Sequence, residues 1–233
     1  MNTLKIIAAF ACIAFCSAAF ASSAAAQQAP NADSFAPNKK YFEQEYNQRL
    51  LMDDNKAATR LWQKGQTLAN CLVRSAGDEA GSYIGGAIVD DEKYGKLTEG
   101  LRQDHRSCMT EEASGVSPMI ASAALAERVV MERRQTMVLG LGDASPSEAQ
   151  AFIMSGGSDI DVDTIGRCVA VLAPRQAIAV LETGAGTDAE LAALDTLYAA
   201  APQCGLKERP ADIPPIFQRA AAANGLYFWS ARG

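Results

Sequence analysis

The chain has 233 residues, 21 basic and 27 acidic side chains, a single histidine and a net charge of −6. That acidic balance disfavours nucleic acid and anionic membrane as partners. Aromatic residues make up 7% against an abundance of alanine and leucine, a composition that favours helix, and the expected fold class is all-α.

Residues 1–26 carry the pattern of a secretory signal peptide: Lys5, an uncharged apolar run from Ile6 to Phe20, then small residues ending in Ala24-Ala25-Ala26. The run is short for a membrane-spanning helix, which needs about 20 residues. Bulky Phe15 before Cys16 argues against a lipidation site. Cleavage after Ala26 is expected to remove Cys12 and Cys16, leave no transmembrane segment, and deliver a periplasmic or secreted protein. Four cysteines then remain, Cys71, Cys108, Cys168 and Cys204. An even number in an oxidising compartment reads as disulfides, with three possible connectivities.

Residues 27–52 read as a flexible arm with two prolines, followed by a possible helix from Tyr41 to Leu51. Residues 53–137 form a first helical unit. Asp53-Asp54 cap a helix whose stripe runs through Ala58, Leu61, Gly65, Leu68 and Leu72 and stops at Gly77. A short helix from Asp78 to Ile84 precedes one through Tyr94, Leu97 and Leu101 to about His105, which Cys108 closes. Ser117-Pro118 opens a further helix towards Arg133-Arg134, with Ser as cap and Pro where its missing N–H costs nothing. Residues 138–163 are a linker in which Ser145-Pro146-Ser147-Glu148 is a capping box for a helix to Met154.

Residues 164–233 repeat the order of elements. Ile165 to Leu172 holds Cys168, Pro174 starts a short helix to Leu181, and Thr187-Asp188-Ala189-Glu190 is a second capping box. Leu191, Leu194, Leu197 and Tyr198 line the helix behind it, Cys204 follows, and Pro214-Pro215 opens the last helix. Cys71 lies 47 residues before Pro118, and Cys168 lies 47 before Pro215. At an offset of 96 or 97, Leu68 falls on Ile165, Ile84 on Leu181, Leu101 on Leu197 and Ile120 on Phe217. Regular spacing of punctuating and apolar residues marks repeated units. The expectation is a tandem duplication: two similar disulfide-pinned helical units in a bundle-like arrangement. Within that repeat the simplest pairing is Cys71–Cys108 and Cys168–Cys204.

No motif for chemistry stands out. The cysteines lack the C-x-x-C spacing of a redox dithiol or a zinc site. His105, in Leu101-Arg102-Gln103-Asp104-His105, lies near a helix end, where it favours the helix dipole; its counterpart in the second unit is Ala201. Met154-Ser155-Gly156-Gly157-Ser158 fits a helix-ending turn better than a nucleophile elbow, and Gly81 to Gly86 lacks the Lys-Ser/Thr of a phosphate loop. Asp159, Asp161 and Asp163 start like a calcium loop, but Thr164 and Ala170 stand where it needs Gly and Glu. Adjacent acids such as Asp53-Asp54 and Glu111-Glu112 read as capping or solvated residues. No catalytic, cofactor or metal residue is assigned.

The starts of the units (Cys71-Leu72-Val73-Arg74; Cys168-Val169-Ala170), the second cysteines and the closing alanine-rich helices resemble a family of exported α-helical proteins of Gram-negative bacteria that has a duplicated two-cysteine unit and no assigned activity. The second unit departs from it at Val171, where the first has Arg74. The resemblance implies an exported duplicated helical fold and no site. The expected function is a non-catalytic periplasmic or envelope protein that binds an unknown protein or small ligand, with the groove between the units as the place to look. The alternative is a cell-envelope hydrolase acting through acidic residues. The aromatic Leu226-Tyr227-Phe228-Trp229 end is expected to pack in the core.

Overall fold

The structure, a computed structural model, describes residues 52, 54–85, 91–113, 115–140, 145–155 and 162–232. The signal peptide, the arm, the helix expected over Tyr41 to Leu51, and Asp159 and Asp161 lie outside the described residues. Among the described residues there are eight α-helices and no strands. They are α1 (Asn55–Ala76), α2 (Asp91–Arg102), α3 (Pro118–Gly140), α4 (Pro146–Met154), α5 (Val162–Leu172), α6 (Pro174–Leu181), α7 (Asp188–Ala200) and α8 (Pro215–Ser230). Three 3₁₀ turns join them, Gly77–Tyr83, Arg106–Cys108 and Pro202–Cys204.

Local signals place the ends. Asp54 Oδ1 accepts the backbone N–H groups of Lys56 at 2.9 Å and Ala57 at 3.0 Å. Those free donors at the helix start are what a capping side chain satisfies, and they hold the Asp54 carboxyl below its ordinary pKa. Gly77 ends α1 with φ 57°, a backbone that L side chains rarely adopt. Ser145 and Glu148 complete the expected capping box of α4. Two expectations differ in detail. Asp78 to Ile84 is a 3₁₀ turn rather than an α-helix, and α2 ends at Arg102, after which residues 103–105 turn into the 3₁₀ segment of Cys108.

Two disulfides are present, Cys71–Cys108 and Cys168–Cys204, at sequence separations of 37 and 36. Each ties the helix that opens its half to the 3₁₀ turn after its third element. Closing loops of this length stabilises by about 4 kcal/mol in the ideal case. Such bonds form and persist in oxidising compartments.

The core is shared by both halves. The proline-started helices α3 and α8 pack against each other, with α1 laid on α3, α5 laid on α8, and α6 touching both. Helix α8 is buried on every side from Ile216 to Leu226, as expected of a helix whose apolar and small residues run right round. A single apolar cluster takes in Leu68, Leu72, Leu97, Ile120 and Leu125 with Val169, Leu181, Leu194, Leu197 and Leu226. No single described helix is long and apolar enough to cross a membrane; α5 and α6 pass together by length and composition but are bent by 113°.

Close packing of α5 on α8 depends on glycine. A Cβ built on Gly225 would lie 2.2 Å from the Gly166 carbonyl oxygen, and one on Gly166 would lie 2.4 Å from that of Ala221. These are backbone atoms, so the helices would have to separate. Gly225→Ala gains helix propensity of roughly 1 kcal/mol, but overpacking costs about 1–3 kcal/mol, and the net change is expected to be destabilising. Gly95→Ala, in α2 with nothing within 4 Å, keeps the gain without the cost and is expected to stabilise by up to about 1 kcal/mol. Urea denaturation of the two variants compares them directly.

Candidate functional site

Two polar clusters and two surface hollows hold the chemistry-bearing residues. The larger cluster centres on Arg219, which α8 places in the interior with its side chain 1% exposed. Its Nε donates to Glu127 Oε2 at 2.6 Å and its Nη2 to Glu127 Oε1 at 3.0 Å, a two-pronged pair across the α3–α8 seam. Its Nη1 donates to Glu190 Oε1 on α7 at 3.1 Å and to the Val180 carbonyl at 2.9 Å, with Thr183 Oγ1 at 3.3 Å. Its Nη2 also reaches the carbonyls of Leu181 at 2.9 Å and Thr183 at 3.0 Å. A guanidinium has five N–H donors, and all of them are engaged. Burial works against the positive charge, but the hydrogen bonds and charges of Glu127 and Glu190 outweigh it and hold the Arg219 pKa above its ordinary value.

The acids are engaged in turn. Gln66 Nε2 donates to Glu127 Oε1 at 2.9 Å, and the Gly186 N–H donates to Glu190 Oε2 at 2.7 Å. This last bond corrects the second capping box. Thr187 Oγ1 accepts the Glu190 N–H at 3.2 Å as expected, but the Glu190 carboxylate turns to Gly186 and Arg219 because a buried cation outbids an exposed backbone donor. The cluster has no counterpart in the first half. At the same offsets of 96 and 97, Ser122 stands where Arg219 is, Asn224 where Glu127 is, and Tyr94 where Glu190 is. Ser122 Oγ instead accepts the Gly85 N–H at 2.7 Å.

The second cluster surrounds His105. The residue caps the 3₁₀ turn of Cys108, and its ring turns inward, 8% exposed, between the last turn of α1 and the Gly77–Tyr83 turn rather than over the end of the preceding helix α2. Its Nδ1 is 3.0 Å from Ser75 Oγ and its Nε2 is 3.2 Å from the Tyr83 hydroxyl. Ser75 Oγ is also 3.7 Å from Cys108 Sγ and donates within 3.3 Å of the Leu72 carbonyl. Burial, with the negative charges of Asp104 and Glu79 adding to it, pushes the Tyr83 phenol above its ordinary pKa.

Both hollows lie between α1 and α3 and are lined by residues of the first half. One, of about 320 Å³, has Gln66, Asn70, Glu127, Arg128 and Met131 around it. The other, of about 220 Å³, runs from Val73 and Asp78 to Glu132 and Arg133. The seam between the halves is filled by α3–α8 packing and the Arg219–Glu127 pair.

Other sequence candidates are dispersed. Glu111 and Glu112 are exposed in a turn, Asp54 is a cap, and Asp163 begins α5. Ser155 ends α4 and accepts from Arg167 Nη1 at 2.7 Å. No group of three His, Cys, Asp or Glu side chains that could hold a metal occurs among the described residues. Sequence reasoning missed Arg219 and Glu127 and read Glu190 only as a capping residue. The signal was there for the first two: charged residues interrupting otherwise apolar runs, Glu127 and Arg128 in Ala124-Leu125-Ala126-Glu127-Arg128-Val129 and Arg219 in Ile216-Phe217-Gln218-Arg219-Ala220. In comparisons with protein-family models, curated proteins and solved structures, the chain matches none.

Proposed function

We propose that this is an exported, non-catalytic envelope or periplasmic protein, built by duplication of a two-cysteine unit, whose role is to bind a partner. The observation that carries this reading is the saturation of Arg219. The most deeply buried charged groups, Arg219, Glu127 and Glu190, spend their hydrogen-bonding capacity on one another and on the backbone of α6. They serve as a clamp between α3, α6, α7 and α8, so neither Glu127 nor Glu190 is free to act in the carboxylate pair that the hydrolase reading requires.

The two halves support duplication by their order of elements and by one backbone detail. His105 and Ala201, which match at the offset of 96, both precede a 3₁₀ turn with similar dihedrals, φ −122° and ψ 33° against φ −129° and ψ 55°. The hollow beside Glu127 is at the lower end of the 300–1,000 Å³ typical of ligand clefts. It suits a partner's side chain better than an enclosed cofactor.

Cell fractionation with thiol alkylation tests export. The expected result is a protein outside the cytoplasm that takes up alkylating agent only after reduction; a cytoplasmic protein with free thiols overturns the reading. A photo-cross-linking residue at Met131 tests binding. One discrete adduct, lost in an Arg128→Glu variant, is expected, and absence of any adduct counts against this surface.

A further inference from the structure

We propose that the Cys71–Cys108 bond is a thiol-exchange site, reducible in the folded protein by a dithiol reductant, with Ser75 and His105 as positioning residues that stabilise the departing sulfur. The two disulfides differ in access and in surroundings. Cys71 is partly exposed on α1, whereas Cys108 is 1% exposed. In the second bond both residues are buried, with Cys168 at 5% and Cys204 at 8%. Of the four cysteines Cys71 is thus the most exposed residue, and it is the one an incoming thiolate meets first.

The exchange runs in two balanced steps. The reductant's thiolate forms a new S–S bond to Cys71 Sγ as the Cys71–Cys108 bond breaks, and the electron pair leaves on Cys108 Sγ. The reductant's second thiol, once deprotonated, attacks its own sulfur in the mixed disulfide and departs as an internal disulfide. Cys71 is released as a thiolate that takes up the proton. Two electrons pass from the reductant to the protein's cysteines.

The first step places charge on a buried sulfur, which apolar surroundings would oppose. Here a chain of donors ends on it. With His105 in its Nδ1–H tautomer, Tyr83 O–H donates to Nε2 over 3.2 Å, Nδ1–H donates to Ser75 Oγ over 3.0 Å, and the Ser75 O–H then turns from the Leu72 carbonyl to Cys108 Sγ, 3.7 Å away. The neutral imidazole tautomer suffices. A stabilised leaving thiolate departs faster. The second bond has neither feature, because Ala201 stands where His105 is and Leu172 where Ser75 is.

The experiment is timed reduction of the native, oxidised protein with dithiothreitol at one fixed pH, quenched with N-ethylmaleimide and read by peptide mass mapping. Cys71 and Cys108 are expected to become labelled at rates on the order of tenfold above Cys168 and Cys204. Ser75→Ala and His105→Gln are expected to slow the first bond several-fold and leave the second alone, and Ser75→Thr to retain the fast rate. With glutathione as a single-thiol reductant, the adduct is expected on Cys71 and not on Cys108. Ser75 is exposed, so Ser75→Ala tests the idea even where His105→Gln fails to fold. Equal rates for the two bonds, an adduct on Cys108, or an unchanged rate in folded Ser75→Ala would each overturn the proposal.

Discussion

Replacing Arg219 by methionine is expected to cost about 3–5 kcal/mol, the penalty for leaving a buried ionic partner uncompensated. Two carboxylates are stranded rather than one, Glu127 at 7% and Glu190 at 0% side-chain exposure. Net stability of a domain is only about 5–15 kcal/mol, so the variant is expected to unfold at far lower denaturant and to be partly unfolded at growth temperature. Arg219→Lys is expected to recover only part of the loss, since an ammonium cannot reproduce the two-pronged contact with Glu127. The triple variant Arg219→Met, Glu127→Leu, Glu190→Leu separates two roles of the arginine. Removing a whole buried ion cluster is often neutral or stabilising. Arg219 also donates to the carbonyls of Val180, Leu181 and Thr183 at the end of α6, and each buried acceptor left unmet costs about 1–3 kcal/mol. The triple variant is therefore expected to remain destabilised, by urea denaturation. A triple variant as stable as the parent would show that the arginine answers its acids alone and does not cap α6.

Much of the fold could be read from local chemistry, and what could not depends on long-range contact. Asp54, Gly77, Ser145, Pro118, Pro174 and Pro215 set helix boundaries by satisfying or lacking particular backbone groups, and they do so within a turn of where they stand. The disulfide pairing followed from a spacing kept twice. The length of α2 did not follow, because no glycine or proline after Arg102 marks its end while the chain must turn to bring Cys108 to Cys71. The Arg219 cluster is assembled from residues 92 and 29 positions distant, a separation at which periodicity says nothing about who meets whom. A charged residue inside an apolar run does say that some partner must exist, because an isolated buried charge is too costly. His105 shows the reverse case. Its neighbour Cys108 was known from the spacing, but Ser75 and Tyr83 reach it only because the Gly77–Tyr83 turn folds the chain back beside α1.

The C-terminal aromatic stretch divides by exposure, and the division predicts which residues the fold needs. Leu226 is 0% and Trp229 1% exposed, while Tyr227 and Phe228 are half-buried. The Trp229 ring lies 4.9 Å from that of Phe152 on α4, and the Arg232 guanidinium covers it at 3.1 Å from the ring centre. Trp229→Ala is expected to cost about 3–5 kcal/mol, and truncation after Gly225, which also removes Leu226, to abolish cooperative unfolding in a thermal scan. Trp229→Phe keeps most of the ring. The indole N–H has no protein acceptor, so losing it forfeits no hydrogen bond, and this variant is expected to stay within about 1.5 kcal/mol of the parent, as volume-conserving core swaps do. Tyr227 makes one long-range bond, its hydroxyl donating to the Gly81 carbonyl at 2.8 Å, so Tyr227→Phe is expected to cost about 1 kcal/mol. A truncated chain that still unfolds cooperatively would move the whole aromatic stretch out of the core and make it a partner-binding edge, where aromatic side chains serve as anchors.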